Sequence, residues 1–217
     1  MGVGATAQAV ATPIVSALRR EIARARQGRV PNQLVALIHS ARERCLGEVR
    51  MATTAGVPLE LYLHTTYEPD AEFVDGVIEE RAVGENDHSA WQFAIQRWFG
   101  MHEDEWNILI RPEYRVQVAA TRFRVPDVSI LDASFAPDPI AVRPPLAVFE
   151  VLSPEDTVKR LRIKLLDYQA MGVPSIFVVD PESGRFEQFV DSELRGTQQF
   201  ASGAIHFDLA EIASRVK

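Results

Sequence analysis

Glu150 lies inside an apolar run, Ala147 to Leu152, that otherwise reads as a buried strand. An ionised carboxylate in a dry core costs several kcal/mol or more unless something pairs with it. It is either neutralised by an arginine or lysine, or it holds a cation. Two further residues belong with it. Asp127 follows Pro126 inside an alternating stretch, where the proline argues for an edge position or a bulge. Lys164 falls one turn beyond Leu161 and one turn before Tyr168 in a helical pattern, so it borders a buried stripe. Carboxylates on neighbouring strands make an oxygen-rich site for Mg²⁺ (or Mn²⁺), which takes one or two carboxylates and leaves its other positions to water and phosphate. A lysine beside such a site can orient or deprotonate water and offset charge growing on phosphorus.

The elements that must position these residues are legible from residue 75 onward. "VDGVIEER" reads as a strand at an Asp-Gly turn. "NDHSAWQFAIQRWFG" reads as a helix capped by Asn86 or Asp87, with Trp91, Ile95 and Trp98 as its buried stripe and Gly100 as its stop. His88 extends that stripe back by one turn and should face inward at the helix start. Strands are expected at 107–118, 122–131 and 146–152. Ser153-Pro154-Glu155-Asp156 then predicts the start of a helix that buries Leu161, Leu165 and Tyr168 and ends at Gly172. "SIFVVD" is a further strand. The order is helix, three strands, helix, strand, an α/β arrangement with a crossover helix between strands 146–152 and 175–180.

Composition bounds the rest. The chain has 217 residues, 47% hydrophobic and 24% charged, which suits one globular domain and an appendage. No segment approaches the twenty apolar residues of a membrane-spanning helix. A single cysteine, Cys45, forbids an internal disulfide and fits a cytoplasmic location. "MGVGAT" formally matches an N-myristoylation pattern, a match too short to carry weight. Residues 1–50 hold eight arginines against three glutamates, two amphipathic helical patterns and a composition break at Met51. They are expected to be a helical appendage or an upstream extension, and residues 51–217 the functional domain. That second part carries 15 Lys+Arg against 27 Asp+Glu, which does not itself point to nucleic acid.

The stretches "YEPDAEFVDGVIEER", "NDHS", "RFRVPDVSIL", "PPLAVFEVLSPED" and "KLLDYQAMGVPSIFVVDP" together resemble the Uma-type restriction-endonuclease family of the PD-(D/E)XK nuclease superfamily. The resemblance covers roughly residues 60 to 190. It implies a restriction-endonuclease-like core with a mixed central sheet and a Mg²⁺-dependent phosphodiesterase acting on DNA. It makes Asp127 and Glu150 the metal-binding acids, with the Val151 carbonyl, and Lys164 the catalytic lysine. Leu152 stands where the superfamily usually has that lysine, so the lysine is relocated to the following helix, with Lys159 less well aimed. It also brings His88 beside the site, as a proton-transfer helper or a core histidine. Glu79 is either a further metal ligand or a solvated strand-end charge, and Tyr168 either a substrate-facing hydroxyl or core. Arg122 and Arg124, with Arg111 and Arg115, could form a basic track toward DNA, the only such feature in the acidic part. A two-fold homodimer is expected by analogy. The rival reading is a weak or inactive nuclease-fold binding or regulatory module, which the acidic balance favours; a phosphodiesterase of small nucleotides is a third.

Overall fold

The computed structural model describes residues 56–68, 70–81, 85–135 and 138–217. The expected 1–50 appendage and the Met51 boundary lie outside the described residues. Gly56–Tyr62 with Tyr67–Lys217 form one compact unit, the second of the two into which the chain divides. The sheets and the site described below lie in the second.

After the short helix α1 (Leu59–Leu63), strands β1 (Glu72–Val74) and β2 (Val77–Glu79) form a hairpin. Its turn, Asp75-Gly76, takes positive φ at both residues, as the Asp-Gly signal predicts. Helix α2 (Asn86–Gly100) follows and buries Trp91, Ile95 and Trp98, with Ala94 and Phe99 completing the stripe. Its cap is Glu85, one residue ahead of the expected Asn86 or Asp87, and no side chain makes the capping bond. The short helix α3 (Glu103–Trp106) leads into the strands.

The expected strands 107–118 and 122–131 are each broken in two. β3 (Ile108–Pro112) pairs with β6 (Val128–Asp132), and β4 (Val116–Ala119) pairs with β5 (Arg122–Arg124). One long hairpin is thus bent across its middle, so its tip and its base serve different sheets. Pro112 ends one limb, followed by Glu113 in the left-handed region at φ 48°; Pro126 interrupts the other. The tip joins the order β2-β1-β5-β4, and the base joins the central sheet.

That central sheet has six strands in the order β10-β9-β8-β7-β6-β3. β7 (Ala147–Val151) and β8 (Ile176–Asp180) are parallel, and every other pair is antiparallel, which makes the mixed sheet expected from the sequence. The crossover between them is α4 (Val158–Met171). It does not begin at Ser153. Ser153 to Asp156 close a turn, with the Ser153 N–H donating to Asp156 Oδ2 at 2.8 Å. Thr157 caps the helix by accepting from the Arg160 N–H, and Gly172 ends it at φ 92° as expected. Beyond lie β9 (Arg185–Val190), β10 (Glu193–Thr197), the hairpin β11 (Gln199–Ser202) and β12 (Ile205–Asp208), and α5 (Ala210–Ala213).

β7 is buried on both faces, and its alternation divides the core. Phe149 and Val151 enter a cluster with α2, α5 and an aromatic stack of Phe99, Phe177, Phe200 and Phe207. Val148 faces the other way, toward Leu165 and Tyr168 of α4. Glu150 shares that second face, which puts a carboxyl group under the crossover helix.

Candidate functional site

The bend in the long hairpin fixes Asp127. Its backbone carbonyl accepts from Gln92 Nε2 of α2 at 3.0 Å and from the Glu113 N–H at 3.2 Å. Its side chain is 5% exposed, and both of its oxygens are hydrogen-bonded. Oδ2 accepts from the Val151 N–H at 2.7 Å and from His88 Nε2 at 3.2 Å, and Oδ1 accepts from Arg81 Nη2 at 2.5 Å. The bond to Val151 ties the aspartate to the residue after Glu150. A carboxyl group from the bend before β6 and one from the neighbouring strand β7 therefore meet at one place.

Glu150 is 5% exposed. Lys164 donates to its Oε2 at 3.1 Å, and the Tyr168 hydroxyl donates to its Oε1 at 2.6 Å. Both donors come from α4, one turn apart on the buried face. Lys164 also reaches Glu72 Oε1 at 3.0 Å. The late start of α4 shortens the lysine's distance from the helix end: it is the seventh helical residue, about 9 Å along the axis from the first. Lys159, second in the helix, is exposed.

The electrostatics separate the two acids. Burial raises both, but for Asp127 the hydrogen bond from His88 and the charges of Arg81, His88 and Lys164 outweigh it and hold the carboxyl below its usual range. For Glu150, burial with the negative charges of Asp127 and Glu72 prevails over Lys164 and pushes the carboxyl up to about 7. The Asp127 hydrogen bond raises the His88 imidazole above its ordinary value, against the opposing pull of burial. His88 Nδ1 is buried without a hydrogen-bond partner.

These groups line a cavity of about 270 Å³, with Val151, Leu152, Arg81 and Arg160 in its wall. Glu79, Glu80, Glu155 and Asp156 also line it. The structure brings Asp127, Glu150, Lys164 and His88 together there. Glu79 belongs to the same wall, but its carboxylate is paired with Arg124 at 3.1 Å. Among the described residues, no group of three or more His, Cys, Asp or Glu is arranged to hold a metal ion by itself.

The substrate-facing assignments fare differently. Tyr168 is fully buried, and its hydroxyl is spent on Glu150. Arg124 is 2% exposed and donates to Glu72, Glu79 and Asp167. Arg122 pairs with Asp75 and Asp167, and Arg115 with Asp70. Three arginines of the expected basic track are thus paired with neighbouring carboxylates, Arg122 among them while still partly exposed. Arg81 and Glu72 escaped sequence reasoning. Glu72 had a signal: it sits between Ala71 and Phe73 as Glu150 sits among apolar neighbours, and each buried acid demands a buried cation.

An acid from the bend before β6, an acid of β7 and a lysine from the crossover helix are thus gathered on one face of a mixed sheet. The chain belongs to the Uma2 family, described as "Putative restriction endonuclease", whose model matches residues 59–206. A solved structure described as a "putative nuclease belonging to DUF820", from Anabaena variabilis, is similar in fold. It has a TM-score of 0.64 and 18% identity over 74% of this chain and 99% of its own. Among curated proteins, none matches the chain.

Proposed function

We propose that the protein is a Mg²⁺- or Mn²⁺-dependent phosphodiesterase that cuts DNA. One observation carries this reading: Asp127 and Glu150 are held in one cavity by a backbone bond, with Lys164 on the glutamate. The donor set suits a hard divalent cation, which needs only one or two carboxylates beside its waters. Burial first, and then the charges of Asp127 and Glu72, push Glu150 up to about 7, and a bound cation would offset both. Asp127 and Glu150, with the Val151 carbonyl, would hold the ion, and Glu79 lines the same cavity as a further acid. Bound there, it would supply a Lewis acid to a phosphate and a more acidic water.

The chain's own groups have separate tasks. Lys164 neutralises Glu150 and Glu72 and offers a donor to water or phosphate beside them. His88 carries a proton on Nε2, held against Asp127, and presents Nδ1 as its second site for proton exchange. Tyr168 and the Arg122 and Arg124 pairs act from beneath, holding the acids in place. A two-fold dimer would bring two such cavities to the two strands of a duplex, and the lone Cys45 suits a reducing cytoplasm.

Nicking of supercoiled plasmid, with Mg²⁺ or Mn²⁺ and with chelator, tests this reading. Metal-dependent nicking lost in Asp127→Asn and Glu150→Gln is the expected result, with metal binding by calorimetry lost in both. Wild type that binds no divalent ion at millimolar concentration, or variants that bind as wild type does, would sink it. One observation favours the rival binding module: Arg115, Arg122 and Arg124 are committed to internal acids. Metal binding without any cleavage of duplex, single strand or small nucleotide diesters would decide for that module.

A further inference from the structure

Four cations surround the cavity, and three are accounted for. Arg124 is anchored by Glu72, Glu79 and Asp167 and is part of the buried frame. Lys164 bridges Glu72 and Glu150. Arg160 donates to the Glu80 carbonyl at 3.1 Å. Arg81 is the one of the four that pairs with Asp127 itself. Its side chain is 10% exposed, its Nη2 sits on Asp127 Oδ1 at 2.5 Å, and its Nη1 reaches half-exposed Glu113 at 3.2 Å. Asp127 Oδ2 is already taken by the Val151 N–H and His88, so Oδ1 is the oxygen left for a cation. The guanidinium sits on that oxygen.

Resting on the functional reading above, we infer that Arg81 is the resident counter-cation of the site, which a divalent ion must displace from Asp127 Oδ1 in order to bind. Arginine cannot give up its charge, so the two cations exclude one another electrostatically as well as sterically. Glu113 supplies the second anchor, outside the cavity, on which the displaced guanidinium remains held. There it presents a planar fork suited to a phosphate oxygen pair. Metal entry and phosphate capture are thereby linked through one side chain.

The test is metal affinity rather than turnover. Mn²⁺ titration by calorimetry should show Arg81→Gln binding about tenfold tighter or more than wild type, since a unit charge at contact distance has been removed. Arg81→Lys, which keeps the charge, should stay near wild type. Circular dichroism checks the fold of both. A second arm uses wild type alone, labelled with ¹⁵N-arginine: the Arg81 Nε–H signal, assigned by its loss in Arg81→Lys, should move on Mg²⁺ addition while that of Arg124 holds. Equal or weaker metal binding in Arg81→Gln, or an Arg81 signal unmoved at metal saturation, overturns the inference and leaves the functional reading standing. Absence of metal binding in both wild type and Arg81→Gln overturns both.

Discussion

Lys164 is the shared counter-ion of two buried acids, Glu72 and Glu150. Lys164→Ala should therefore lower turnover by about two orders of magnitude and also cost about 3–5 kcal/mol of stability, the scale of an uncompensated buried charge. Plasmid nicking and urea denaturation read the two effects. Exposed Lys159→Ala should change neither, and a Lys164→Ala protein as stable as wild type would show that the acids do not depend on it. Glu150 makes a pH prediction. Its folded-state carboxyl keeps a proton up to about 7, whereas the ordinary value is 4.5. The folded state binds more protons between those limits, so this group costs stability progressively as pH rises through that window. Glu150→Gln should gain on the order of 2 kcal/mol over wild type at about pH 8 and nothing at about pH 4. An equal difference at both pH values in urea denaturation would refute that. Asp127, Glu150 and Lys164 were legible because each breaks a local rule: an acid in an apolar run, an acid after a strand proline, a lysine on a buried stripe. Arg81 breaks none, since an arginine at a strand end is ordinary, and only the fold reveals what it touches.

At the scale of elements, α2, β7, α4 and β8 could be read because their apolar periods are long and their ends are marked. The strands at 107–118 and 122–131 could not be divided from sequence. Pro112 and Pro126 mark interruptions, but apolar alternation resumes at Val116 and Val118, so the prolines do not by themselves show that the hairpin leaves one sheet for another. The bend is nonetheless what delivers Asp127. The segment after Pro181 gave little signal for a related reason: the β9–β10 turn uses Asp191 and Ser192, both at positive φ, where a glycine would have announced it. The start of α4 is a correction with a direct test. Thr157→Ala should cost about 1 kcal/mol by thermal denaturation, the usual value of a lost cap. Ser153→Ala should cost less, because Ser153 only closes the preceding turn through Asp156. The reverse order would restore Ser153 as the cap.

Over the whole molecule, acidity and internal ion pairing set the expectations. The formal charge is −7, and the arginines nearest the site are mostly paired. Any DNA affinity should therefore release few counterions, with a log–log salt slope no steeper than about −3. Fluorescence anisotropy of a labelled duplex across salt concentrations measures it, and a slope of about −6 or steeper would mean that a basic surface had been missed. No helix among the described residues is long and apolar enough to cross a membrane. The second unit begins at Gly56, whose Cβ position lies 2.8 Å from Gly76 Cα and O, and the Val57 N–H donates to the Gly76 carbonyl at 2.7 Å. A chain of residues 51–217 retains that seam and should fold and keep the activity of the full chain. Loss of its circular-dichroism signature or solubility would place the first fifty residues in the core.

The lattice of Glu72, Arg124, Asp167 and Lys164 also governs how this chain can drift under selection. A single change at any of the four strands a partner's charge in the interior, whereas a joint replacement by apolar residues of similar volume can be neutral or better. Libraries randomised one position at a time should return the starting residue. Libraries that randomise Arg124 and Asp167 together should open new solutions, so this network is expected to evolve in coupled steps rather than one residue at a time.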